Sequence, residues 1–244
     1  MDSIETSKRS LPNTIENKRF IISLTIPLII LLIIWLIKIY EVLFGVSFYD
    51  LGIYPRSLHG LIGILTAPLI HGDFNHIYFN SIYWLILSTA FFYFFPERAY
   101  RYFVVAYFLP GILVWLFARP SFHIGLSGVI YALVSFLFFV NLLNKDFRMM
   151  SVSLIIIFLF SGMIAGIFPK DIHISWESHL AGVLTGMGLA INEAMKMRKK
   201  HDLTDTYSTT YFDSLNQFEN KGTYPNIRYF YSEEEDRPRL NSGE

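Results

Sequence analysis

An all-α membrane protein with six spanning helices is the fold class this sequence predicts, and three features predict it. The 244-residue chain is 53 % hydrophobic and only 16 % charged. Its apolar residues cluster in runs of roughly 18 or more rather than in amphipathic stripes, which is the length a helix needs to cross a bilayer. Lys and Arg concentrate at one set of run ends, as orientation in a membrane requires. The formal net charge is zero and there is no cysteine. No basic field invites nucleic acid, and disulfides, thiolate chemistry and cysteine metal sites are excluded.

Residues 1–19 are polar, with Lys8, Arg9, Lys18 and Arg19, and form an N-terminal segment before the membrane domain. The first span is expected at 20–43. Its apolar run, 20–36, is longer than a signal-peptide core and lacks a small-residue cleavage site after it, so it is read as a retained span. A long connection, 44–75, follows. Within it Leu58, Leu61, Ile62 and Leu65 recur at helical spacing beside Arg56 and His59, the pattern of a helix lying in the interface. The remaining spans are expected at 76–95, 99–118, 126–143, 149–168 and 177–196. Pro27 and Pro110 fall inside spans, where neighbouring helices re-satisfy the backbone. The loop 169–176, "PKDIHISW", is either a simple connection or a lid over the outer face. Residues 197–244 turn polar, with Glu233, Glu234, Glu235 and Asp236 in one run, and read as a disordered tail. The aromatics Tyr207, Tyr211, Phe212, Tyr229, Phe230 and Tyr231 leave that tail room for docking.

With the N-terminus inside, the inner flanks hold Lys8, Arg9, Lys18, Arg19, Arg98, Arg101, Lys145, Arg148, Lys196, Arg198, Lys199 and Lys200. The outer flanks hold Arg56, Arg119 and Lys170, with Lys38 near the end of the first span. That asymmetry predicts cytoplasmic termini. With no transit peptide, the expected location is a bacterial inner membrane.

Polar side chains inside spans are costly and mark candidate sites. Ser127 opens the fourth span, His179 the sixth, and His76 and Asn80 the second. Counting to the inner end of each span gives 18 residues from Ser127 to Lys145, 17 from His179 to Lys196 and 17 from Asn80 to Glu97. At about 1.5 Å per residue each distance is roughly 26 Å, so all three groups sit at one depth near the outer boundary. Each alone has an ordinary use: Ser127 in packing, His179 on a backbone carbonyl, Asn80 between helices. Together they point to chemistry. A serine is a poor nucleophile unless a neighbour takes its proton, and histidine suits that task. Glu177 is the carboxylate nearest His179 in sequence and is placed to face elsewhere, so a dyad is expected rather than a triad. Free backbone N–H groups at the start of the fourth helix, with His76 and Asn80 sharing one helix face, supply donors for a developing oxyanion. Gly125 and Gly128 allow close approach of a substrate backbone. Gly182 and Gly186 form a GxxxG step that brings the sixth helix close to a neighbour. Tyr131 is placed either to stack on His179 or to fill the core.

These segments resemble the rhomboid family of intramembrane serine proteases. "GLSG" at 125–128 is similar to the family's GxSG nucleophile motif. "SHLAGVLTG" at 178–186 resembles its histidine motif followed by GxxxG, and "HGDFNHIYFN" at 71–80 its second-span pattern of two histidines and an asparagine. The resemblance covers roughly residues 20–196. It implies a six-helix bundle around a short central fourth helix, Ser127 as nucleophile and His179 as general base. It also implies an oxyanion hole from His76, Asn80 and the Ser127 N–H, Tyr131 supporting His179, and His71 in a structural role. The implied substrates are transmembrane segments of other membrane proteins, entering from the lipid bilayer and cut near their outer boundary, with no metal and no cofactor.

The rival readings are weaker. A catalytically inactive relative, acting as a binding or escort factor, would be expected to lack the serine or the histidine. A transporter would carry charged pairs or broken helices near the midplane. A zinc membrane protease lacks its HExxH here, and the expected spans contain no aspartate for an aspartyl protease.

Overall fold

The computed structural model describes residues 11–144, 155, 158, 165–169 and 174–221. The chain divides into two compact units, Met1–Arg198 and Lys199–Glu244. Among the described residues the regular elements are helical, and the one extended pairing is an antiparallel bridge between Ile53 and His123. The helices are α1 (Leu11–Phe44), α2 (Gly63–Thr66), α3 (Phe74–Phe94), α4 (Ala99–Phe117), α5 (Ser127–Asn144) and α6 (Trp176–Lys221). Residues of α6 up to Arg198 belong to the first unit and the rest to the second.

Four of these, α1, α3, α4 and α5, are long and apolar enough to cross a membrane. Three of them begin and end within two residues of the expected spans. Helix α3 starts at Phe74 because Asp73 caps it: its Oδ1 accepts the His76 N–H at 2.8 Å, satisfying a donor that a helix start leaves free. Helix α1 starts at Leu11 rather than 20. Pro12 sits in its first turn, where a missing N–H costs nothing, and no Gly or Pro interrupts the polar stretch that follows. The expected sixth span is helical but is not among the four. Its apolar content is diluted by Ser178, His179, Gly182, Thr185, Gly186, Asn192 and Glu193, a set that reads as packing against protein rather than lipid. It also runs past 196 to Lys221, with no Gly or Pro between Gly188 and Gly222 to stop it. The fifth expected span, the candidate lid and residues 222–244 of the tail lie largely or wholly outside the described residues.

The expected interfacial helix is broken into a 3-10 turn (His59–Leu61), α2 and a second 3-10 turn (Ala67–Leu69). Gly60, Gly63 and Pro68 interrupt it. Its apolar residues Leu58, Leu61, Ile62 and Leu65 are exposed, as a bilayer-facing surface would be. The segment is bolted to the end of α4. Arg56, at a left-handed φ of 58°, donates to the Ala118 carbonyl at 2.9 Å, and the Trp115 indole donates to the Ser57 carbonyl at 2.9 Å.

Helix α5 is the most buried of the four apolar helices. In its most apolar stretch 61 % of residues are buried, against 17 % in α1. Trp84 and Phe91 of α3 and Ile130, Leu133, Phe136 and Leu137 of α5 form the core. The Trp84 indole also donates to the Pro27 carbonyl of α1 at 3.0 Å. Away from the start of α5, the buried carboxylate of Glu193 ties α6 to α4. It pairs with Arg98 and accepts the Tyr102 hydroxyl at 2.7 Å, as a buried charge requires.

Candidate active site

Ser127 is the first residue of α5 and His179 lies in the first turn of α6, so both stand where helices begin. His179 Nε2 lies 2.9 Å from Ser127 Oγ, and its Nδ1 lies 2.8 Å from the Gly166 carbonyl. A carbonyl can only accept, so Nδ1 carries the proton and Nε2 is free to accept from the hydroxyl. That is the tautomer a general base needs. Tyr131 stacks on the imidazole, with centroids 4.2 Å apart and planes at 18°. Glu177 points to Arg119 instead, 3.4 Å from its Nε.

The glycines explain how two helices come this close. A methyl group on Gly182 would sit 2.3 Å from the Gly128 carbonyl oxygen, and one on Gly186 would sit 2.1 Å from that of Ala132. Any larger side chain would part α5 from α6 and hydroxyl from imidazole. Gly125 answers a different need. Its φ of +108° is one that side-chain-bearing residues rarely adopt, and the His76 ring occupies the space where its side chain would be, 2.7 Å from that position.

The donors gather on the same side. Asn80 is 6 % exposed, and its Nδ2 is buried without a hydrogen-bond partner among the described residues. It lies 3.7 Å from where a Gly125 methyl would be. A buried donor left unpaired costs free energy, and one beside a candidate nucleophile is positioned to receive an anion. The His71 ring meets that of His76 edge-on at 5.0 Å, and its Nε2 accepts the Leu126 N–H at 3.4 Å. Burial, reinforced by His76 and Lys38, pulls the His71 pKa from 6.5 down to about 3, so the ring stays neutral and able to accept. Lys38 of α1 donates to the carbonyls of His71 (3.1 Å) and Gly72 (2.9 Å), holding this loop. All ten residues singled out in the sequence therefore fall in one connected cluster, none stranded elsewhere.

A family model for the Rhomboid domain matches residues 58–195, more than half of the chain. The chain belongs to the rhomboid family. Together with the four apolar helices, this makes it an integral membrane protein. The match takes in every residue of the cluster but leaves out α1 and Lys38. Uncharacterized proteins of Mycobacterium bovis and Mycobacterium tuberculosis are each 26 % identical over 199 residues, covering 78 % of this chain and 83 % of theirs. One of Mycobacterium leprae is 24 % identical over 183 residues, covering 71 % and 72 %.

Around the dyad of this rhomboid-family chain, other groups meet the cluster that no motif marks. The Gly166 carbonyl is a backbone group with no signature in residue type. Lys38 passed as a flanking charge. His123 lies outside the expected spans and is buried, 2 % exposed. Its position four residues before Ser127, with Ser175 four before His179, was the available signal.

Proposed function

We propose that this rhomboid-family chain is an intramembrane serine endopeptidase that cuts transmembrane segments of other membrane proteins near their outer boundary. The observation that carries the reading is the 2.9 Å contact between His179 Nε2 and Ser127 Oγ, with the opposite ring nitrogen committed to the Gly166 carbonyl. Ser127 Oγ attacks the scissile carbonyl while its proton passes to His179 Nε2. The tetrahedral oxyanion takes hydrogen bonds from Asn80 Nδ2, His76 and the Ser127 N–H. As it collapses, the amide nitrogen leaves with the proton from His179. Water, deprotonated by the same imidazole, then attacks the acyl-enzyme ester and releases Ser127. No step calls for a metal or cofactor.

The reading includes six spans, those of α1, α3, α4, α5, the 149–168 segment and the first part of α6, in a bacterial inner membrane. Both termini are cytoplasmic, and α5 is the short central helix. The Lys and Arg bias supports the orientation, and the burial of α5 its central place. The three domains are an N-terminal segment 1–19, a membrane domain 20–196 and a polar tail 197–244.

The test is cleavage of a single-span substrate by purified protein in lipid vesicles. Wild type should cleave with a chelator present. Ser127→Ala and His179→Ala should each abolish cleavage while the protein still inserts. A fluorophosphonate probe should label Ser127 alone. Full activity in Ser127→Ala would sink the assignment. Substrate binding without cleavage or labelling by wild type would favour an inactive binding or escort factor.

A further inference from the structure

A second imidazole–hydroxyl pair lies upstream of the first. His123 Nδ1 is 2.5 Å from Ser175 Oγ, and Ser175 Oγ is 2.6 Å from Ser178 Oγ. His123 Nε2 lies 3.2 Å from the Arg119 carbonyl. That carbonyl only accepts, so Nε2 carries the proton and the Ser175 hydroxyl donates to Nδ1. His123 precedes Ser127 by four residues and Ser175 precedes His179 by four. The two pairs thus join the same two chain segments four residues apart on each, with the residue types exchanged.

Both members are anchored. The His123 backbone exchanges two hydrogen bonds of 2.9 Å with Ile53. Ser175 immediately precedes α6, and its carbonyl accepts the N–H groups of Ser178 (3.1 Å) and His179 (3.3 Å). Arg119 clamps the same junction. Its Nη2 donates to the Ile174 carbonyl at 2.8 Å, and its Nε meets Glu177 at 3.4 Å. The first turn of α6, which carries His179, is therefore tied side chain to side chain to the segment that leads into Ser127. GxxxG packing sets how closely the helices approach. The His123–Ser175 contact adds a directional tie beside it.

We propose that His123 and Ser175 are a positioning pair, holding the starts of α5 and α6 in the register that keeps His179 Nε2 on Ser127 Oγ. The proposal rests on the protease reading above. It predicts that losing the pair slows the chemical step and leaves substrate binding in place, because a displacement of about 1 Å between reacting groups can cost a hundredfold in rate.

The test uses the full chain in vesicles with the single-span substrate, and thermal unfolding in detergent as a check on folding. His123→Phe and Ser175→Ala should each lower kcat about 10- to 100-fold with KM within about twofold, and slow fluorophosphonate labelling of Ser127 by the same factor. The double variant should be no worse than the worse single, as for two halves of one interaction. His123→Asn, whose amide oxygen can accept from Ser175, should recover most of the rate. If His123→Phe does not fold, Ser175→Ala decides alone. Wild-type kcat in folded Ser175→Ala overturns the proposal, as does a folded His123→Asn no faster than His123→Phe. Wild-type protein that neither cleaves nor labels overturns the protease reading. An active wild type with unaffected variants overturns only the positioning pair.

Discussion

Helices α1 and α5 are both apolar enough to cross a membrane, yet 17 % of one and 61 % of the other is buried in their most apolar stretches. Helix α1 exposes Ile21, Leu28, Leu32, Leu36 and Leu43 and holds its neighbours by a few directed contacts. These are the Trp84 indole on the Pro27 carbonyl, the Trp35 indole on Ser81 Oγ at 3.0 Å, and Lys38 on the loop before α3. Helix α5 is wrapped by α3, α4 and α6 and meets α6 through glycines at near backbone contact. In lipid an apolar side chain gains little from leaving one hydrocarbon surface for another. Apolarity therefore carries a helix into the membrane, and small residues and hydrogen bonds decide which helix is packed most tightly by its neighbours.

The contrast can be tested from its strongest point outward. If Asn80 donates to the oxyanion as proposed, Asn80→Ala should lower kcat by about 10²–10³-fold. Because Asn80 Nδ2 has no partner to lose among the described residues, thermal unfolding should scarcely move. A kcat near wild type would remove Asn80 from the site. Next come two glycines of one helix. Gly186→Ala should destabilise by about 1–3 kcal/mol through overpacking, since its new methyl would meet the Ala132 carbonyl. Gly188→Ala, with nothing within 4 Å of its methyl, should be neutral or stabilise by about 0.4–1 kcal/mol. Equal effects in denaturation would mean that α5 and α6 are not in tight contact.

Acid should also weaken the centre. His71 titrates near 3 in the fold because of burial, and burial likewise lowers His123. Between the unfolded value of 6.5 and these lowered values, the unfolded chain binds protons that the native state excludes. Stability is then full above about 6.5 and is lost as pH falls toward 3. Unfolding temperatures measured from pH 7.5 down to 5 should fall, and less steeply in His71→Asn. At the rim, Leu32→Ala, on a residue 60 % exposed, should change stability by less than about 0.5 kcal/mol. A larger loss would show that α1 has a protein partner at that face.

Much of the site was legible because lipid makes polar residues conspicuous. Ser127, His179, His76 and Asn80 stand out against apolar surroundings, and counting residues along helices places three of their spans' polar groups at one expected depth. Three span boundaries came out within two residues for the same reason. What escaped had no such contrast. Polar residues flanking α1 and α6 carry no apolar rhythm, so their helical extensions were invisible, although the absence of Gly and Pro permitted them. The run from Leu58 to Leu65 showed a helical period, but Gly60, Gly63 and Pro68 divided the helix into short turns. His123 lies outside the spans, where a histidine attracts no notice, and its meaning depends on a serine 52 positions away.

The imidazole of His179 is steadied by a main-chain oxygen, that of residue 166. Residue 166 is a glycine, and any substitution there keeps the carbonyl, so no single change of residue type removes that oxygen. The ring's aim follows the path of the polypeptide there. Anything that shifts that stretch of chain, whether a neighbouring substitution or an arriving molecule, turns the imidazole along with it.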